Sequence, residues 1–127
     1  MKVCKNHSVG FKYAFAGIMW LLKKERNMQI HCYVAFFVIV SGCFIEFSLY
    51  EWIAVLFCIG AVLSAEAFNT AIEKLADYVC DEHNPMIGIV KDVAAGAVLI
   101  ISILSVVIGL IILISRLNIY YAIYETQ

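Results

Sequence analysis

With 127 residues, 64% of them apolar, 15% charged and a formal net charge of −1, at a mean hydropathy of +0.91, the chain is too apolar for a soluble globular domain. It also lacks the bulk charge that would draw it to nucleic acid. A single polytopic membrane domain is what remains. Five cysteines (Cys4, Cys32, Cys43, Cys58, Cys80) form no CxxC pair, so they read as small hydrophobes rather than as a disulfide frame. Cys80 and His83 alone make a poor zinc site.

Residues 1–27 are basic but lack a compact apolar core followed by small residues, so no cleavable signal is expected. Within them Phe11, Phe15, Ile18 and Leu22 recur at offsets 0, 4, 7 and 11, with Lys12, Lys23 and Lys24 off that stripe. This spacing predicts an amphipathic helix over 9–25 lying in the headgroup layer. A first span is expected over about 28–47, with Gly42 tolerated in lipid. His31 at its start reads as an interface residue. Residues 46–51 read as a short polar connector, with Tyr50 and Trp52 at the level of an aromatic belt.

The second apolar run, spanning about 52–72, continues as helix to about Val79 with no Gly or Pro from Ala61 onward. It plants Glu66, Asn69, Thr70, Glu73 and Asp77 at offsets 0, 3, 4, 7 and 11, which at about 100° per residue gather on one stripe. An acid near the centre of a membrane helix costs roughly 2.5–3.5 kcal/mol even on the lenient insertion scale. These carboxylates must therefore be paired, protonated, bound to a cation or turned into a polar cavity. Asp77 can cap the helix or pair with Lys74 three residues back. Asn84-Pro85 is a helix start, Asn as cap and Pro in the first turn. The third apolar helix should run to Ser115, spanning about 93–115, with a small-residue patch (Ala94-Ala95-Gly96-Ala97) for close helix contact. Arg116, Tyr120, Tyr121 and Tyr124 close its end as belt and tail.

Six Lys and Arg precede the first span, two (Lys74, Lys91) flank the connector between the second and third, and one (Arg116) follows. By the preference of basic loops for the cytoplasm, the N-terminus and the 74–92 loop lie inside. Carboxylates with one lysine, Lys91, can serve phosphoryl transfer: Mg²⁺ takes one or two carboxylates plus substrate phosphates, lysine binds phosphate, and a carboxylate in apolar surroundings suits a general base. No GxxxxGK[ST] loop or kinase-type GxGxxG is present. The same acids suit a small proton or cation carrier, and a non-catalytic membrane subunit is the third reading.

The string Glu66-Ala-Phe-Asn69-Thr-Ala-Ile-Glu73-Lys-Leu-Ala-Asp77, followed by Lys91-Asp92-Val-Ala-Ala-Gly-Ala-Val98, resembles the signature of the prokaryotic diacylglycerol kinase and undecaprenol kinase family. The likeness extends over nearly the whole chain. It implies an all-α membrane protein, a surface helix plus three transmembrane helices. It further implies a homotrimeric kinase of the bacterial cytoplasmic membrane, using Mg²⁺ and ATP to phosphorylate a lipid alcohol in sites between subunits. Carried over, Glu66 would be the base that meets the lipid hydroxyl and Asn69 would order the site. Glu25 and Glu73 would hold the metal, while Lys91 and Asp92 would act at the nucleotide phosphates. Tyr13 and the loop Glu82-His83-Asn84 would contact the nucleotide. A nucleotide-side arginine of some members is Asn6 here, and Lys5 or Lys12 would substitute. The wording of the motifs is closer to the undecaprenol-using branch.

Overall fold

The computed structural model describes residues 10–79 and 84–125, with the side chains of 119–125 set aside. Cys4, Lys5, Asn6, Cys80, Glu82 and His83 lie outside the described residues. The elements are four helices, α1 (Phe11–Lys24), α2 (Arg26–Ile45), α3 (Leu49–Val79) and α4 (Pro85–Glu125). Three of them, Arg26–Ile45, Leu49–Val79 and Pro85–Asn118, are long and apolar enough to cross a membrane. The chain is therefore an all-α membrane protein with one additional N-terminal helix, as its composition requires.

Helix α1 has the expected amphipathic stripe, and the protein does not cover it. Phe11 is 96% exposed and Phe15 65%. An uncovered apolar stripe flanked by lysines suits the headgroup layer. One residue, Glu25, separates α1 from α2 in an extended conformation (φ −102°, ψ 116°). Gln29 Nε2 reaches back across that junction to the Leu22 carbonyl at 3.0 Å.

The connector after the first span is shorter than expected, and α3 begins at Leu49. The reason is local. Ser48 and Glu51 form an S-x-x-E start, with Ser48 N donating to Glu51 Oε2 at 2.6 Å and Ser48 Oγ donating to the same oxygen at 2.7 Å. Glu46 turns the chain in the left-handed region (φ 56°, ψ 58°), and Phe47 N donates back to the Gly42 carbonyl at 3.0 Å. Gly42 is more than tolerated. A Cβ there would lie 2.6 Å from the Phe47 ring, which itself meets Trp52 edge-on at 5.5 Å.

Helix α3 packs chiefly on α4 and more thinly on α2. Its buried face reads Val55, Val62, Glu66, Asn69, Thr70 and Ala76, and α4 answers with Ala94, Val98 and Ile112. Within the chain the small-residue seam rests on Ala94. Gly96 faces open space, so the expected patch serves the contact through one of its members. Asn84 caps α4 as expected, its Oδ1 accepting from Met86 N at 2.9 Å. Helix α4 runs 41 residues, ten beyond Ser115, because no Gly or Pro follows Gly109 to stop it. Near its far end Arg116 Nε donates to Glu51 Oε1 at 2.9 Å and its Nη2 donates to Oε2. This two-pronged clamp ties α4 to the start of α3.

Candidate active site

The inner half of α3 carries the site because its packed stripe changes from apolar to polar after Val62 without leaving the helix face. Glu66 is 2% exposed, Asn69 5% and Thr70 3%. An acid this deep needs neighbours, and α2 supplies them. Asn27 and His31, one helical turn apart, face the Glu66 carboxyl, with Glu25 and Glu73 also within electrostatic reach of it. Glu66 and Glu73 therefore share one side of α3, as the stripe predicts, and Glu25 lies within electrostatic reach of Glu66.

Asn69 Nδ2 donates to Glu73 Oε1 at 3.2 Å, which fixes Glu73 relative to Glu66. The other end of that amide, Oδ1, is buried with no hydrogen-bond partner among the described residues. Asp77 does not pair with Lys74. It accepts from Lys91 Nζ on α4, and Glu73 lies within the field of the same ammonium. Lys74 turns the other way, its Nζ 3.2 Å from Glu25 Oε1 and 5.8 Å above the Trp20 ring.

Asp92 is exposed and forms no ion pair among the described residues, so one chain does not bring it into the cluster. Tyr13 stands half exposed on α1. Asn84 is engaged as the α4 cap, and Glu82 and His83 fall outside the described residues.

Sequence reasoning missed Asn27 as a neighbour of Glu66 and read His31 only as an interface residue. Their i, i+4 spacing is the signal that could have found them. It marks two polar groups on one face of an otherwise apolar span. From His31 an apolar groove of about 390 Å³ runs between α2, α3 and α4, lined among others by Ile30, Val38, Val55, Leu63 and Ser102.

The donor set suits a hard divalent cation shared with phosphates. It offers carboxylate oxygens of Glu25 and Glu73 and the unused amide oxygen of Asn69, all oxygen ligands. Among the described residues no three His, Cys, Asp or Glu side chains converge on one point.

Over residues 12–113 the sequence matches the family described as prokaryotic diacylglycerol kinase. It is similar to the undecaprenol kinase of Bacillus subtilis (strain 168), at 39% identity over 107 residues, covering 84% of this chain and 87% of that protein. It is also similar to a diacylglycerol kinase of Synechocystis sp., at 31% identity over 109 residues, covering 85% of this chain and 62% of that longer protein. The match runs from the start of the surface helix well into the last span, and the chain belongs to the prokaryotic diacylglycerol kinase family and is a membrane lipid kinase.

Proposed function

We propose that the enzyme transfers the terminal phosphoryl group of ATP, with Mg²⁺, to the primary hydroxyl of undecaprenol at the cytoplasmic face of the bacterial inner membrane. The observation that carries this reading is the burial of Glu66 at 2% exposure, with Glu25, Asn27, His31 and Glu73 around it. A buried carboxylate beside an apolar groove suits removal of a proton from an alcohol that arrives through lipid. The choice of undecaprenol over diacylglycerol is supported by the greater identity and coverage of the Bacillus relative.

In this reading Glu66 takes the hydroxyl proton as the lipid oxygen bonds to phosphorus and ADP departs. Asn69 holds Glu73 and orders the pair. Glu25 and Glu73 would hold Mg²⁺, which when bound neutralises the phosphate oxygens. Lys91, released from Asp77, and Asp92 act at the nucleotide phosphates and their surroundings. Tyr13 and the loop Glu82-His83-Asn84 contact the nucleotide. The family signature in residues 66–98 supports a homotrimer with sites between subunits, where the exposed Asp92 would meet a neighbouring chain. The lysine and arginine distribution supports a cytoplasmic N-terminus and 74–92 loop.

The test is transfer from labelled ATP to undecaprenol and to diacylglycerol, compared in vesicles with Mg²⁺. Undecaprenol should be the better acceptor. Glu66→Gln should lower turnover on it by about 10²–10⁴-fold, with helical content and membrane insertion unchanged. Labelling of neither lipid alcohol, or full activity in Glu66→Gln, would refute the proposal.

A further inference from the structure

Lys74 is absorbed by no role above, yet it makes two of the contacts that hold the surface helix beside the site. Its ammonium sits 3.2 Å from Glu25 and 5.8 Å over Trp20, so one charge reaches both α1 and the acid that ends it. We propose that Lys74 is the resident counter-ion of Glu25, a positioning residue that a divalent cation displaces when it binds that carboxylate. This rests on the reading of Glu25 as a metal carboxylate.

The geometry decides which partner moves. Glu25 is fixed at the helix junction: its N–H donates to the Leu21 carbonyl at 3.0 Å and its carbonyl accepts from Gln29 N at 3.2 Å. Its side chain is 21% exposed, whereas that of Lys74 is 54% exposed on a flexible four-carbon stem. A hard dication takes carboxylate oxygens as ligands, and an ammonium with open water beside it can leave. Trp20 then loses the cation over its face, since a charge at about 6 Å from the ring is within cation–π range. The free enzyme thus keeps the acid neutralised until metal arrives.

A purely structural fastener predicts the opposite sign. If Lys74 only clamped α1, removing its charge would loosen Glu25 and weaken metal binding. As a counter-ion, its removal leaves Glu25 unopposed and strengthens binding. The experiment uses the full chain in vesicles without nucleotide, with Mn²⁺ alone as the probe and its free signal read by electron paramagnetic resonance. Lys74→Met, which keeps the stem, should bind Mn²⁺ about two- to fivefold more tightly than wild type, the scale of an exposed ion pair. Lys74→Arg should restore the wild-type value or weaken binding. In a Trp52→Phe background, Mg²⁺ should change Trp20 emission when Lys74 is present and leave it unchanged in Lys74→Met.

Equal or weaker Mn²⁺ binding in Lys74→Met overturns the counter-ion role while leaving the metal reading intact. A wild type that binds no Mn²⁺, or a Glu25→Gln variant that binds it as well as wild type, overturns the metal reading and this proposal with it.

Discussion

Glu66 is an acid withdrawn from both water and lipid, and what surrounds it decides how it can act. An unpaired buried carboxylate would cost several kcal/mol. Here Asn27 and His31 on α2 answer it, with two other carboxylates close by. His31 lies within electrostatic reach of Glu66, the base in our proposal, and lines the apolar groove. His31→Ala should therefore lower kcat by about 10- to 100-fold while leaving the KM for ATP near its wild-type value, as steady-state kinetics with both substrates varied would show. The polar stripe from Glu66 to Glu73 was legible in the sequence because helical periodicity puts it on one face whatever the tertiary structure. Asn27 and His31 were not legible, because their partner lies 35 or more positions away and no periodicity states which face of one span meets which face of another. The pairing of Lys74 with Glu25 and Asp77 with Lys91 was hidden for the same reason: local spacing favoured Lys74 with Asp77, and packing chose otherwise.

At the scale of elements, the extents of the helices follow from their ends. All four were visible as apolar or amphipathic runs. The start of α3 was missed because Ser48 and Glu51 looked like connector polarity, when the Glu51 carboxylate reaches back to accept from both the N–H and the hydroxyl of Ser48. Gly42 looked incidental and proves to be a contact position. Gly42→Leu should push the Phe47 ring off the end of α2 and cost about 1–3 kcal/mol. Thermal unfolding in detergent would show it, with lipid phosphorylation at permissive temperature retained because the start of α3 lies about 25 Å along the helix from Glu66. Such a result would separate the two ends of α3, one an anchor built on Ser48, Glu51 and Arg116, the other the reactive end.

At the scale of the whole molecule, α3 and α4 form the solid part of the chain, α2 lies against α3 more lightly, and α1 lies against α2. Large apolar side chains remain uncovered on every helix, some for lipid and some, in our proposal, for sister subunits. If a site draws Lys91 and Glu66 from different chains, Glu66→Gln and Lys91→Met, each inactive alone, should regain activity when co-reconstituted from the unfolded state. Activity near one quarter of wild type would show shared sites, and none at all would show that each chain is self-contained. The groove that starts beside His31 has a consequence for how such an enzyme meets its two reactants. Residues 30–38 and 55–63 line its length, about 12 Å by helical rise, and it opens among apolar side chains. One reactant comes from the aqueous side in three dimensions, while the other slides in edgewise from a two-dimensional film. The velocity should then track the alcohol's mole fraction among the surrounding lipids: adding inert phospholipid slows the reaction, although every bulk concentration of reactant is unchanged.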